Sequence, residues 1–268
     1  MRTATIDASG LTYRELNARI RDLAADHDVL ELTSVRGHRY IGTGTTSKCR
    51  IDVHGTPGQD LGVFLDGPEI RVFGNAQDGV GNTMNSGRIV VDGRVGHIAA
   101  MSARGGRLFV RGHAGPRAAV HMKSSGAVMP VVVIGGSAGP FLGEYMSGGV
   151  VVVLNVAGNG AAATANPAVA GLTGATGGAR VLRAGTVAAG IHGGTIFIRG
   201  AVDPAAVWDG AQVGPAGDGE LRMLSGILQE FCECFSGRFD YERLATGGYT
   251  AIRPRSHKPY SNQYWHEG

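Results

Sequence analysis

The side chains able to do chemistry are few, and their spacing limits what they do. Cys232 and Cys234 form a C-x-C pair on a segment patterned as a helix, where two residues of separation turn the side chains about 200° apart around the axis. One thiol is therefore expected in the core and the other at the surface. Cys49 lies far off in sequence and is expected as a small buried residue. An iron–sulfur cluster needs three or four spaced thiolates, which this pattern does not supply. Among the nine histidines, His97, His113, His121 and His192 have no H-x-E or H-x-x-x-H pattern with matching carboxylates, so structural roles are expected for them. The densest polar string is Asn75, Gln77, Asp78, Asn82, Thr83 and Asn85. It suits either an active-site loop or a row of corners bonding backbone groups, and the second reading is preferred. Arg253, Arg255, His257 and Lys258 suit a phosphate or RNA contact, but such a run is more often a solvated tail or a partner contact. Arg2 follows Met1, so a glutaminase with an N-terminal cysteine nucleophile is not expected here. Gly74, Gly79 and Gly81 lie outside any strand–turn–helix pattern that would cradle a nucleotide. No catalytic, cofactor-binding or metal-binding residue is assigned.

The elements that hold these residues follow from a repeat. Gly55, Gly74, Gly93 and Gly112 are each nineteen residues apart. Four positions before each stands Ile51, Ile70, Ile89 or Leu108, and two positions before stands Val53, Val72, Val91 or Val110. The pattern is expected to continue with Val131 and Val133 before Gly135, and with Ile196 and Ile198 before Gly200. One short strand per repeat of about 20 residues marks a stacked solenoid. Nineteen residues at roughly 3.3 Å each close a loop of about 60 Å. The fold class is accordingly mainly β, a right-handed parallel β-helix with flanking helices at both ends. Alternation points Ile70 and Val72 to the lumen and Arg71 and Phe73 outward. The repeated glycines are expected at corners, where a sharp bend favours positive φ and a stacked backbone leaves no room for Cβ.

Both ends of such a stack need cover. Thr12 and Glu15 make a capping box, followed by Leu16, Ile20 and Leu23 at helical spacing. Leu221, Leu224, Ile227, Leu228, Phe231 and Phe235 give a second amphipathic helix, with Asp218 and Glu220 at its positive end and Gly237 as its stop. Three parts are expected: a helical cap over 1–35, the β-helix over 36–200, and a helix and tail over 201–268. From Asn155 to Gly194 the register is lost, with one weak strand at Arg180 to Gly185. The tail carries Tyr241, Tyr249, Tyr260, Tyr264 and Trp265, a composition suited to docking.

Composition agrees: 45 glycines and 10 prolines in 268 residues exclude collagen, and the glycine share is well over twice the usual ~7%. A net charge of +3 gives no sign of nucleic-acid binding. No apolar run approaches the ~20 residues that span a bilayer, no basic-then-apolar leader opens the sequence, and a cytoplasmic location is expected.

The run "VFGNAQDGVGNTMNSGRIVVDGRVGH" to "GHAGPRAAVHMK" at Lys123, with "GEYMSGGVVVVL" at Gly143 to Leu154 and "GIHGGTIFIRG" at Gly190 to Gly200, resembles the GXGXG domain. This is the C-terminal β-helical domain of the glutamate synthase large subunit, which also occurs as free-standing chains. The resemblance covers residues 36–200. The closing "RPRSHKPYSNQYW" is similar to the tail of the free-standing versions, of which the subunit type found in methylamine–glutamate N-methyltransferase (N-methylglutamate synthase) is the most similar.

The resemblance implies a non-catalytic scaffold in a hetero-oligomer, joining a class II glutamine amidotransferase-like subunit to an FMN-binding glutamate-synthase-like subunit. FMN, and an iron–sulfur cluster, are then expected on the partner and none on this chain. Phe73, Phe109 and Phe197, read as an outward column, are the expected partner contacts, and Phe109→Asp is expected to weaken assembly while leaving the chain folded. Three alternatives stand beside this reading. One is the β-helical subunit of a formylmethanofuran dehydrogenase or formyltransferase/hydrolase complex. Another is an independent carbohydrate-active β-helix, for which the outward acids Asp52 and Asp92, two rungs and about 10 Å apart, are a poor pair. A hexapeptide acyltransferase needs a period that is a multiple of six.

Overall fold

A computed structural model of the protein describes residues 1–156 and 186–258. They form a parallel β-solenoid of about six turns. Strands β1 (Thr3–Asp7), β2 (Val29–Arg36), β3 (Arg50–Thr56), β4 (Glu69–Val72), β5 (Arg88–Val91), β6 (Arg107–Val110), β7 (Val131–Ile134), β8 (Ser147–Val153) and β9 (Gly193–Arg199) stack in parallel and in sequence order. Strands β10 (Ala211–Pro215) and β11 (Tyr249–Pro254) end the sheet in the order β9-β11-β10, both pairings antiparallel. The expected weak strand at 180–185, the small-residue stretch at 161–178, and Tyr260, Tyr264 and Trp265 lie outside the described residues.

The register aligns the core. Leu30, Ile51, Ile70, Ile89, Leu108, Val132, Val151 and Ile196 form one lumen row, and Leu32, Val53, Val72, Val91, Val110, Ile134, Val153 and Ile198 form the other. All are buried, and each large aliphatic removed from water contributes about 1.5–3 kcal/mol. The expectation for β7 is corrected by one residue: Val132 and Ile134 face the lumen, and Val131 and Val133 face outward. The turn before β7 carries extra residues, so Gly136, rather than Gly135, donates its N–H to Gly112. In a strand a slip of one residue exchanges the two faces.

The N-terminal segment 1–35 supplies more than a helix. β1, α1 (Tyr13–Ala24) and β2 make a parallel βαβ unit. The expected capping box forms, with Glu15 N–H on the Thr12 hydroxyl and Thr12 N–H on the Glu15 carboxylate. Leu16 and Ile20 then bury in the lumen cluster with Ile6, Leu30 and Leu32. The helix fills the first turn where later turns use an extended wall.

That wall explains the glycine pattern. In successive turns every second residue has positive φ: Tyr40, Gly42 and Gly44; Asp60, Gly62 and Phe64; Gly79, Gly81 and Thr83; Ile98, Ala100 and Ser102; Arg117, Ala119 and His121; Phe141, Gly143 and Tyr145. The middle member donates its N–H to the preceding turn: Gly62 to Ile41 (2.8 Å), Gly81 to Leu61 (2.9 Å), Ala100 to Val80 (2.7 Å), Ala119 to Ala99 (2.8 Å) and Gly143 to Ala118 (2.9 Å). The outer members donate to the following turn, as Gly79 does to His97 (2.9 Å) and Thr83 to Met101 (2.7 Å). The wall is thereby hydrogen-bonded in both directions, which satisfies backbone groups that would otherwise be buried unpaired.

Middle members are all small because they point at the opposite row of aliphatics. A Cβ on Gly42 would sit 2.7 Å from Ile70 Cδ1, and on Gly143 2.4 Å from Ile196 Cδ1. The glycines at the ends of the strands meet the expected close stacking, but of the four only Gly55 carries the expected positive φ, at +127. Gly93 and Gly112 do not carry positive φ; a Cβ there would lie 2.6 Å and 2.7 Å from the carbonyl oxygen of the glycine one turn before. Close stacking alone excludes a side chain at these two.

The wall yields a graded test. Gly81→Ala adds left-handed strain of about 1–2 kcal/mol, because its Cβ would meet Ile89 at an ordinary 3.5 Å. Gly143→Ala adds overpacking of about 1–3 kcal/mol to the same strain. Urea unfolding midpoints should therefore fall further for Gly143→Ala than for Gly81→Ala, with both chains retaining β-type circular dichroism.

Candidate functional site

The sheet's outer face divides into two halves. One row runs Asp52, Arg71, Val90, Phe109, Val133, Val152, Phe197 and Ala251, polar at its start and apolar from Val90 onward. The apolar half lies under α2 (Asp218–Cys234). This helix begins where the Glu220 carboxylate takes the Gly217 N–H at 2.8 Å, and ends before Gly237 at φ +73. Leu224, Ile227, Leu228 and Phe231 are its buried stripe, packed with Val90, Phe109, Val131, Val133, Val150, Val152 and Phe197. Phe109 and Phe231 meet edge to face at 5.7 Å, a favoured aromatic arrangement. Arg107 reaches Glu230 at 3.0 Å, and Arg253 pairs with Glu220, whose carboxyl is held below its usual range chiefly by that hydrogen bond.

This corrects the expected aromatic column. Phe109 and Phe197 are fully buried by the chain's own helix, and of the three only Phe73 is exposed, at 44%. The sequence placed these rings on the outer face correctly, but α2 lies along that face instead of across the end of the stack. Phe73 stacks on His54 at 4.6 Å, with the Arg71 guanidinium 5.3 Å from its centroid. Beside it, Arg71 pairs with Asp92 at 3.1 Å, Arg50 with Asp52 at 2.8 Å, and Arg88 with Glu69. This half is thus charged and aromatic, and the end of α2 borders it, with Glu233 and Cys234 lining a cleft beside Arg71, Phe73 and Asp92.

Several of the other candidate residues make contacts within the chain. Asn75 Oδ1 accepts the Arg94 N–H at 3.0 Å, and Asp78 Oδ1 accepts the His97 N–H at 2.8 Å, each binding one turn to the next. Asn82 donates to Asp60 and Thr83 to Asn82. His113 Nδ1 accepts the Ser137 N–H at 2.9 Å, in the position that Asn75 holds two turns earlier. His121 stacks on Tyr145, and His192 Nδ1 lies 3.0 Å from the Gly190 carbonyl. Cys49 is buried, as expected. Cys232 and Cys234 are both half-buried, correcting their division into core and surface, and burial is the main cause raising both thiols above the usual range. Neither is set up as a nucleophilic thiolate. Arg253, Arg255 and His257 bond to Glu220, Ala211 and His192 within the chain. Among the described residues no cluster of His, Cys, Asp and Glu is placed to hold a metal, and no helix is long and apolar enough to cross a membrane.

One feature had no signal in the sequence. Asn155, Val156, Arg199, Arg238, Phe239, Asp240, Arg243 and Leu244 line a cleft of about 300 Å³ between the end of β9 and α3 (Tyr241–Ala245). Arg238 and Arg243 are five residues apart, but Arg199 lies 39 residues before the first of them, so no local pattern joins the three.

Removing the Phe109 ring should cost about 3–5 kcal/mol, typical of a buried phenylalanine cut to alanine. Phe73→Ala should stay within about 0.5 kcal/mol of the parent, as for other surface changes. Chemical denaturation of the two variants checks this, and Phe109→Asp should be more damaging still, because it buries a charge under α2.

Comparison with known proteins places these features in context. The GXGXG motif family matches residues 29–236. An uncharacterized protein of Methanocaldococcus jannaschii is 36% identical over 269 residues, covering 98% of this chain and 97% of that one. The ferredoxin-dependent glutamate synthase of Pyropia yezoensis is 34% identical over 140 residues, which is 47% of this chain and 9% of the synthase. The glutamate synthase [NADPH] large chain of Azospirillum brasilense is 40% identical over 118 residues, or 39% of this chain and 7% of that one. The chain thus spans under a tenth of the two glutamate synthases.

Proposed function

Because this chain belongs to the GXGXG motif family, we propose that it is a scaffold subunit that holds the catalytic chains of a glutamate-synthase-like complex in register. The specific complex we propose is methylamine–glutamate N-methyltransferase. Its partners are a class II glutamine amidotransferase-like subunit and an FMN-binding glutamate-synthase-like subunit, with FMN and an iron–sulfur cluster on the latter.

The observation that carries this reading is the division of the outer sheet face. α2 seals the apolar half, while on the other half Phe73 and His54 are exposed, Arg50 and Arg71 are half-buried, and Asp52 is buried beneath its ion pair with Arg50. Polar surface with an exposed aromatic is the usual make-up of a non-obligate interface. A stack hydrogen-bonded on both walls deforms little, which suits a part that sets the distance between two active sites. The similarity to glutamate synthases over about half the chain supports the type of complex.

Co-expression with the genomic neighbours, followed by purification through a tag on this chain, tests the proposal. The expected product is a yellow complex with flavin absorption, containing both partner chains by mass. A double variant at the exposed pair, His54→Ala with Phe73→Ala, should recover less of at least one partner while keeping the melting transition of the isolated chain close to the parent's. A colourless chain that elutes alone contradicts the scaffold reading.

A further inference from the structure

The cleft beside α3 brings together three arginines and one carboxylate. Among the described residues, no acid forms an ion pair with Arg199, Arg238 or Arg243. The carboxylate, Asp240, already caps α3 by accepting the Arg243 N–H at 3.2 Å. Arg199 is held in place by its Nη2 donation to the Arg243 carbonyl and by Gly247, whose missing side chain leaves room for Nε to lie 2.5 Å from where a Cβ would be. Its Nε is buried and has no hydrogen-bond partner. That buried N–H is packed beside Gly247, so the Arg199 side chain is fixed in place, while Arg238 and Arg243 are exposed; three cationic residues and one carboxylate leave the cleft with an excess of positive charge that favours an anion. Val156, Phe239 and Leu244 give the pocket an apolar side.

We propose that this cleft is a binding site for a small oxyanion, a phosphate- or carboxylate-bearing metabolite with a short carbon body. Arg199, Arg238 and Arg243 supply the donors, since guanidinium forks match the geometry of both oxyanions. The volume of about 300 Å³ is at the lower end of small-molecule pockets, which suits inorganic phosphate or a five-carbon dicarboxylate. The proposal stands apart from the scaffold reading and does not depend on it.

Calorimetric titration of the full chain with sodium phosphate, and separately with L-glutamate, tests the site, with sodium chloride at matched ionic strength as the control. Saturable binding of either probe is expected, and the tighter one identifies the ligand as phosphate-bearing or carboxylate-bearing. Arg243→Gln should weaken that binding on the order of tenfold, the usual effect of losing a charge-assisted bond. Gly247→Ala should weaken it too, by displacing Arg199 without changing any charge. Arg104→Gln, an exposed arginine elsewhere, should leave affinity unchanged. Circular dichroism melting establishes that each variant is folded, and Arg238→Gln replaces Arg243→Gln if the latter is not. The site is overturned if neither anion gives heat beyond the chloride control, or if Arg104→Gln weakens binding as much as the cleft variants do.

Discussion

The narrow lumen is set by one contact repeated at every turn: a glycine or alanine with positive φ, facing the branched side chains of the opposite sheet. Gly42, Gly62, Gly81, Ala100, Ala119, Gly143 and Ala188 occupy this position. Left-handed backbone turns the N–H groups alternately toward the turns before and after, so the wall is hydrogen-bonded without a second β-sheet. The same position must be small, because the Ile70, Ile89 and Ile196 methyl groups already fill the space. Alanine is accepted at three of these seven positions, so the steric limit tightens or relaxes with the aliphatic opposite. A packed interior this narrow leaves no room for a ligand, which puts any recognition on the outside.

The outer face is organised by what α2 covers. Apolar residues from Val90 to Phe197 are one patch in the sheet, and the stripe from Leu224 to Phe231 is its counterpart in the helix. Their union ties the C-terminal segment to strands more than a hundred residues away, as Arg107 and Glu230 show. Tyr249 is part of the same layer. Its hydroxyl donates to the Leu244 carbonyl, and burial pushes its pKa up to about 12 against the opposing pull of Arg199. The end of α2, the short α3 and β11 are thereby fixed around the arginine cleft.

Much of the solenoid was legible in the sequence, because a strict nineteen-residue period writes the lumen rows directly as Ile51, Ile70, Ile89 and Leu108. Legibility failed where the period failed. The longer turn before β7 shifted Val131 and Val133 to the outside. Both cap-forming ends of the amphipathic helices were readable from local pairs such as Thr12 and Glu15, but the resting place of α2 was not, since periodicity reports a helix's apolar stripe and not the surface that receives it. Phe109 and Phe197 were for that reason read as partner contacts. The polar corners were legible as backbone partners because amides and carboxylates at tight turns commonly play that role. The arginine cleft was illegible: Arg199 meets Arg238 and Arg243 only after β11 folds back against β9.

A scaffold role depends on both walls of the solenoid being rigid, and the rigidity of the left-handed wall is the central claim. Site-resolved hydrogen exchange of the full chain measures it directly. The amides of Gly62, Gly81, Ala100, Ala119 and Gly143 should exchange as slowly as the strand amides of β4 to β8, because each is bonded to the preceding turn. Exchange of those amides at the fast rate of exposed turns, with the strands still protected, would contradict the account.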